Sequence, residues 1–295
     1  MRKFTTLSLS TLVLGAAVLL VSCEEQTGTH ENAPAIDSRG ISSSGTLSLQ
    51  GEIISVPSPT QISVMIQKAN IPFDQTLMNP LTNRDQYLTE YDKAIGLGVF
   101  GADLAYAANY EAGQLNNDYF NAVGKLSADL QIIDHIDQKL VTSLNNHIAN
   151  RDSLLRLNAQ FFKAGDNYLK ESRRTDLAGL ILFGGWAEAL YISVKVGKTN
   201  EEIRNRIGEQ KYASVSMRNL VNKIGDPSLA EVRSKLDEVV KIFESLRTTY
   251  TYQKPINDSK EKITYLRGKT TVEMTPEQFT SLEVAVEQLR NLIIQ

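Results

Sequence analysis

The sequence predicts an all-α fold, an antiparallel helical bundle or a short helical-hairpin array, with a small β-hairpin-like excursion near residues 249–274. Three observations predict it: helix-start signals recur along the chain, apolar residues return at steps of three and four, and strands do not alternate regularly with helices. A chain of 295 residues is long enough for one large helical domain or two small ones.

Residues 1–22 open with Arg2 and Lys3, continue as an apolar run and end in Leu20-Val21-Ser22 before Cys23. A charged start, a short apolar stretch and small residues before a cleavage point describe an export signal. Cys23 is the sole cysteine. The pattern resembles the lipobox of bacterial lipoproteins, which implies cleavage before Cys23 and acylation of its thiol and new amino group. One acyl chain, at about 0.8 kcal/mol per buried methylene, binds a membrane only marginally, whereas two or more hold firmly. Once Cys23 is acylated no thiol remains for a disulfide, so stability must come from packing.

Residues 23–57 are rich in Ser, Thr, Gly, Asn, Glu and Pro, with scattered Leu47, Leu49, Ile53 and Ile54. That composition reads as a flexible tether, which places the helical domain at 58–295.

Helical punctuation then becomes explicit. Ser58-Pro59-Thr60-Gln61 and Thr275-Pro276-Glu277-Gln278 each combine a cap, a proline at the first helical position and a glutamine at the third; Thr199-Asn200-Glu201-Glu202 reads as a capping box. Core stripes are expected at Leu154, Leu157, Phe161, Ala164 and Tyr168, at Leu229, Val232, Leu236, Val239, Phe243 and Leu246, and at Phe279, Leu282, Val286, Leu289 and Ile293. Helices are predicted near 59–69, 84–96, 102–113, 117–132, 138–149, 152–171, 175–195, 200–224, 228–248 and 276–294. Gly225-Asp226-Pro227 should stop one helix and start the next. Between the last two helices, Tyr250 and Tyr252 alternate with Thr, and Ile263–Leu266 is separated from Thr270–Val272 by Arg267-Gly268-Lys269, which predicts a hairpin.

Chemical motifs are sparse. Gly96-Leu97-Gly98-Val99-Phe100-Gly101 has the letters of a dinucleotide fingerprint but follows a helical segment rather than a strand, so a glycine-rich corner between closely packed helices is expected. Gly197-Lys198-Thr199 ends like a phosphate-binding loop, yet Ile192 stands where the first glycine is required. His30, His135 and His147 lack metal-ligand spacing, and His147 is expected at the border of a core face. No serine elbow is present, and no metal or cofactor is expected. With 31 Lys and Arg against 34 Asp and Glu, interspersed, the chain offers no phosphate-tracking stripe, so nucleic acid is not an expected partner.

Leu177–Val194 contains a single charge, Glu188. Such a run is a membrane-span candidate by composition, but three glycines, three alanines and the central Glu188 favour a helix buried in the bundle. A buried carboxylate requires a partner or a raised pKa. Glu188 therefore has two readings: a pocket shared with Trp186 and Tyr191, or a structural carboxylate that is hydrogen-bonded or reaches solvent.

The segments Gly98–Tyr106, Gly184–Tyr191, Ile207–Lys211 and Thr275–Phe279 resemble a group of uncharacterised helical lipoproteins from Bacteroidota, over roughly residues 60–295. The resemblance implies a two-membrane bacterium and an outer-membrane or cell-surface address, and supplies no catalytic residue. The resulting expectation is an exported, lipid-anchored envelope protein, held to the membrane through Cys23 and working as a binding or scaffold module with a protein partner. Its rival is a hydrolase or small-ligand binder with a carboxylate-lined cleft near Asp103, Glu188 and Glu209. A third reading is a subunit of a nutrient-uptake complex.

Overall fold

The computed structural model describes residues 45–49, 52–56, 59–258, 262–265 and 268–295. The expected signal segment 1–22, Cys23, His30 and the predicted cap Ser58 lie outside the described residues. Strands β1 (Gly45–Leu49) and β2 (Glu52–Val56) pair antiparallel, with Leu47 opposite Ile54. A two-residue link is a favoured hairpin length, and the β-branched Ile53, Ile54 and Val56 suit extended backbone. The expected tether over 23–57 is therefore corrected for these residues. Average composition hid a short β signal inside a polar stretch.

Helix α1 (Pro59–Lys68) is followed by an irregular segment, 69–89, with two 3-10 turns at Gln75–Leu77 and Leu81–Gln86. Helix α2 (Glu90–Asn109) starts at a capping box in which Thr89 and Asp92 exchange hydrogen bonds. The two helices predicted at 84–96 and 102–113 are thus one, beginning later and running straight through Gly96, Gly98 and Gly101. Then follow α3 (Gln114–Asp129), α4 (Gln138–Asn146), α5 (Arg151–Glu171) and α6 (Thr175–Gly197).

The predicted helix 200–224 divides into α7 (Glu201–Gly208) and α8 (Lys211–Ile224). Its cap is Asn200 rather than Thr199: the Asn200 side chain accepts from the Ile203 N–H at 3.0 Å. The division falls just after Gly208, a poor helix former. Gly225 adopts the left-handed conformation (φ 67°) that closes α8, and Asp226 caps the turn leading into α9 (Ala230–Ser245), as the Gly-Asp-Pro signal requires.

Strands β3 (Arg247–Thr251) and β6 (Lys269–Glu273) pair antiparallel, and β4 (Ile256–Asp258) pairs with β5 (Ile263–Tyr265), giving nested ladders rather than the predicted hairpin between 263–266 and 270–272. Val272 is the reason for this register. It is buried beside Gly208 of α7, which pins β6 to the helical body and sets Thr248 opposite it. Helix α10 (Pro276–Ile293) closes the chain behind its predicted capping box, with Thr275 and Gln278 bonded reciprocally.

Helix α6 organises the rest. It packs against α1, α2, α5, α7, α8 and α10, elements from both ends of the domain, and β1 also lies against it. In a linear array each unit would touch only its neighbours. The fold is therefore a bundle around a central helix. By length and composition α6 is the one helix among the described residues able to cross a membrane, yet 89% of its apolar window is buried by its neighbours.

The contact between α2 and α6 is made at backbone distance. A methyl group on Gly98 would overlap the Ile181 carbonyl oxygen, and one on Gly184 would overlap that of Ile95. The predicted glycine-rich close approach is present, in mid-helix rather than at a corner. Glycine costs a helix about 1 kcal/mol relative to alanine, so Gly→Ala should stabilise wherever space is free. Gly124 of α3 has no neighbour within 4 Å of the added carbon. Gly124→Ala should raise stability by roughly 0.5–1 kcal/mol. Gly98→Ala should instead lower it by about 1–3 kcal/mol through overpacking. Thermal and urea melts of the two variants check this, and a stabilised Gly98→Ala would refute the close contact.

Candidate functional site

Five residues stand out in the sequence as pocket candidates: Asp103, Trp186, Glu188, Tyr191 and Glu209. Three of them meet. Asp103 lies one turn and more beyond the glycine contact on α2, Glu188 one turn beyond it on α6, and both are 0% exposed. Arg290 of α10 reaches them from the third side. Its Nε donates to Glu188 Oε2 and its Nη2 to Oε1, each at 3.1 Å, a two-pronged ion pair. The same guanidinium lies 4.5 Å from the centre of the Tyr191 ring, within the range of cation–π attraction.

Asp103 faces two ways. One carboxyl oxygen, Oδ2, accepts the Asn79 backbone N–H at 3.1 Å, and the carboxyl group also hydrogen-bonds Glu188. Two carboxyl groups bond only when a proton lies between them. With both groups ionised Oδ1 has no hydrogen-bond partner, and a proton on the Asp103 carboxyl lets it donate to Glu188. Burial pushes the Asp103 pKa well above the ordinary carboxylic range, and the Glu188 charge pushes it further, against the opposing pull of Arg290. Glu188 is also raised by burial, opposed by the charge and hydrogen bonds of Arg290 and by the bond from Asp103. The charge therefore rests on Glu188 and the proton on Asp103. For Arg290, burial disfavours the charge but Glu188 more than compensates, so its pKa is raised. One carboxylate, one carboxylic acid and one guanidinium sum to zero charge in a dry interior.

A ring of neutral groups completes the cluster. The Tyr119 hydroxyl donates to the Asn79 carbonyl at 2.7 Å, the Asn79 side chain donates to the Tyr87 hydroxyl at 3.1 Å, and Asn83 donates back to the Asn79 side chain at 2.8 Å. Burial pushes the pKa of Tyr87 and of Tyr119 upward, so both stay neutral. Every one of these bonds holds the irregular segment 69–89.

Trp186 and Glu209 lie outside this cluster. Trp186 is buried with its ring 6.5 Å from that of Phe183 and its indole nitrogen unbonded. Glu209 is exposed and pairs with Arg206 at 2.9 Å. The expected grouping of Glu209 with Asp103 and Glu188 is therefore corrected: the break after α7 leaves Glu209 at the surface. His147 is likewise exposed rather than at a core border, its Nδ1 donating to the Ser143 carbonyl at 2.8 Å.

Sequence inspection missed Arg290, Asn79, Tyr87 and Tyr119. Arg290 left a trace: it lies four residues after Val286, on the edge of the α10 apolar stripe, where a charge needs a buried partner. Asn79, between Met78 and Pro80, left none.

Neither carboxyl group of the cluster is exposed to solvent. A shallow surface groove is lined by Leu97, Ile132, Phe161, Phe162 and Ile181 among others, and none of the cluster residues belongs to it. No group of three or more His, Cys, Asp or Glu side chains able to hold a metal occurs among the described residues. What the arrangement does chemically is store one proton between two carboxyl groups and neutralise the remaining charge with Arg290. No protein-family model, curated protein or solved structure matches this chain.

Two predictions follow from the charge assignment. Because the folded Asp103 pKa lies above its unfolded value of about 4, its contribution to stability is complete below that pH and is lost as pH rises toward the folded value, at up to ~1.4 kcal/mol per pH unit. Asp103→Asn keeps an acceptor for Asn79 and a donor for Glu188 but cannot ionise. Its melting temperature should match or exceed that of the parent at pH 8, with the difference shrinking toward pH 4; parallel curves would place the proton elsewhere. Glu188→Ala should cost roughly 3–5 kcal/mol by leaving Arg290 unpaired. Glu188→Gln should cost less, because it keeps the shape and a hydrogen bond to Arg290 while Asp103 ionises to balance the charge. In the double variant Asp103→Asn, Glu188→Gln no carboxylate remains, so the loss in urea melts should exceed the sum of the single losses.

Proposed function

We propose that this chain is an exported lipoprotein, anchored through Cys23, whose helical domain serves as a binding or scaffold module at the bacterial outer membrane. The observation that carries the proposal is Leu20-Val21-Ser22-Cys23 at the end of a basic-then-apolar leader, with the sole cysteine of the chain at the attachment position. The resemblance to helical lipoproteins of Bacteroidota supports the outer-membrane address. The closed interior supports a module that works by its surface: Asp103 and Glu188, the two acids a hydrolytic cleft would have used, are fully buried and committed to Arg290 and Asn79. A protein partner in the envelope follows from the scaffold role.

Cells fed labelled palmitate test the anchor. The parent protein should take up label and sediment with membranes, whereas Cys23→Ala should take up none and leave the outer-membrane fraction. Label retained by the variant would overturn the proposal. Crosslinking in intact membranes followed by pull-down then tests the scaffold role, which predicts a defined envelope protein bound to the parent.

A further inference from the structure

The arm formed by β3 to β6 differs from the rest of the molecule in shape and in charge. All of β3 is exposed, and the arm joins the body through the buried Val272 at its base. Two-stranded ladders alone are marginal in water. This one nevertheless exposes large side chains: Tyr250 is 63% exposed and Tyr252 70% exposed, with Ile256 and Ile263 about half exposed on the outer ladder. Four of the large apolar or aromatic side chains exposed among the described residues, Tyr250, Tyr252, Ile256 and Ile263, lie on the arm.

Charge separates the arm further. Residues 247–273 carry six Lys or Arg against three Asp or Glu, in a chain whose net charge is −3. Among the described side chains, Lys254 and Lys262 are exposed, and neither makes an ion pair within 4.0 Å, whereas Arg247 lies 4.0 Å from Glu273. Basic side chains interleaved with exposed tyrosines match an anionic bilayer surface. Cations meet the headgroups, each contributing about fivefold in binding, and tyrosine rings settle at the boundary between headgroups and chains.

We infer that the β3–β6 arm docks onto an anionic membrane surface, through Lys254 and Lys262 with Tyr250 and Tyr252 as interfacial anchors. The inference rests on the proposed Cys23 anchor for proximity. Only 21 residues lie between Cys23 and the first described residue, Gly45, and even fully extended that stretch spans at most ~80 Å. Tethering at that range makes docking effectively intramolecular, so a few charge contacts and two rings suffice.

The test uses the full chain, purified from membranes and reconstituted into vesicles of phosphatidylcholine alone or of an equimolar mixture with phosphatidylglycerol. Tyr252→Trp supplies a reporter; the native Trp186 is 1% exposed and gives a constant background. In the anionic vesicles the reporter should shift to the blue and be quenched by brominated lipid. Raising salt from ~0.1 to ~1 M, which shortens electrostatic range from about 10 to about 3 Å, should reverse this. Adding Lys254→Glu and Lys262→Glu should lower the ratio of docked to undocked arm at least roughly 25-fold. Equal reporter signals in both vesicle types would overturn the inference, as would quenching that ignores salt and charge reversal. Failure to float with phosphatidylcholine vesicles would instead refute the Cys23 anchor, and the anionic vesicles would still decide the arm: quenching upholds it and none refutes it.

Discussion

The close crossing of α2 and α6 is the constraint on which the rest depends. With hydrogen in place of a side chain at Gly98 and Gly184, the two backbones meet at van der Waals distance. From that contact Asp103 and Glu188 project within hydrogen-bonding reach of each other. Two carboxyl groups so close in a dry interior cannot both be ionised. One must hold a proton, and the other must find a cation. Arg290, on a helix nearly two hundred residues downstream of Asp103, supplies it. Packing geometry between two apolar helices thus dictates the protonation state of the core and the position of the last helix.

Stability alone does not account for the cluster. Buried ion pairs are costly to desolvate, and well-packed apolar replacements are often as stable or more so by ~1–4 kcal/mol. What the cluster does supply is partners for backbone groups that no regular structure satisfies. Segment 69–89 forms no α-helix and is buried only at Met78, Asn79 and Tyr87, where the Asn79 N–H and carbonyl are left in need of partners. Asp103 accepts the first and Tyr119 donates to the second, while Arg290 approaches the Leu77 carbonyl at 3.4 Å. Tyr106 and Tyr110 hold the same segment further back, at Asp74 and Ile71. An irregular connection can be buried only when each polar group is matched. The charged triad is therefore tied to a loop, and its geometry fixes one path for that loop against the bundle.

Regular elements were legible in the sequence because local rules govern them. The stripe residues from Leu229 to Leu246 and from Phe279 to Ile293 are all buried, and the Thr275 box closes as its letters require. Rules of the same local kind misplaced other boundaries. Glycines that break an isolated helix are retained inside α2 because α6 packs into the gap, and Asn200 displaced its neighbour Thr199 as the cap although either side chain can accept the bond. The nested ladders of the arm depend on where Val272 docks, which is a tertiary fact. Glu188 was legible as a buried acid, since one charge among apolar residues needs a partner. Arg290 was not assigned, because that partner is decided by how α10 lies on α6.

Inside and outside follow opposite electrostatic logic in this molecule. The interior brings unlike charges together until they cancel, at the expense of keeping Asp103 protonated well above its usual range. Charges so arranged cannot reach a solute, and they contribute little field at the surface. On the arm, Lys254 and Lys262 are exposed and form no ion pair among the described side chains, in the same segment as the exposed Tyr250 and Tyr252. Uncancelled charge acts over about a Debye length, ~8 Å at physiological salt, which is far enough to meet a surface but not to perturb the body behind it. The arm's base meets the helices where Val272 lies beside Gly208 and where Lys211 bonds Thr248, away from the polar core. The fold thereby separates the groups that fix its shape from those available for contact.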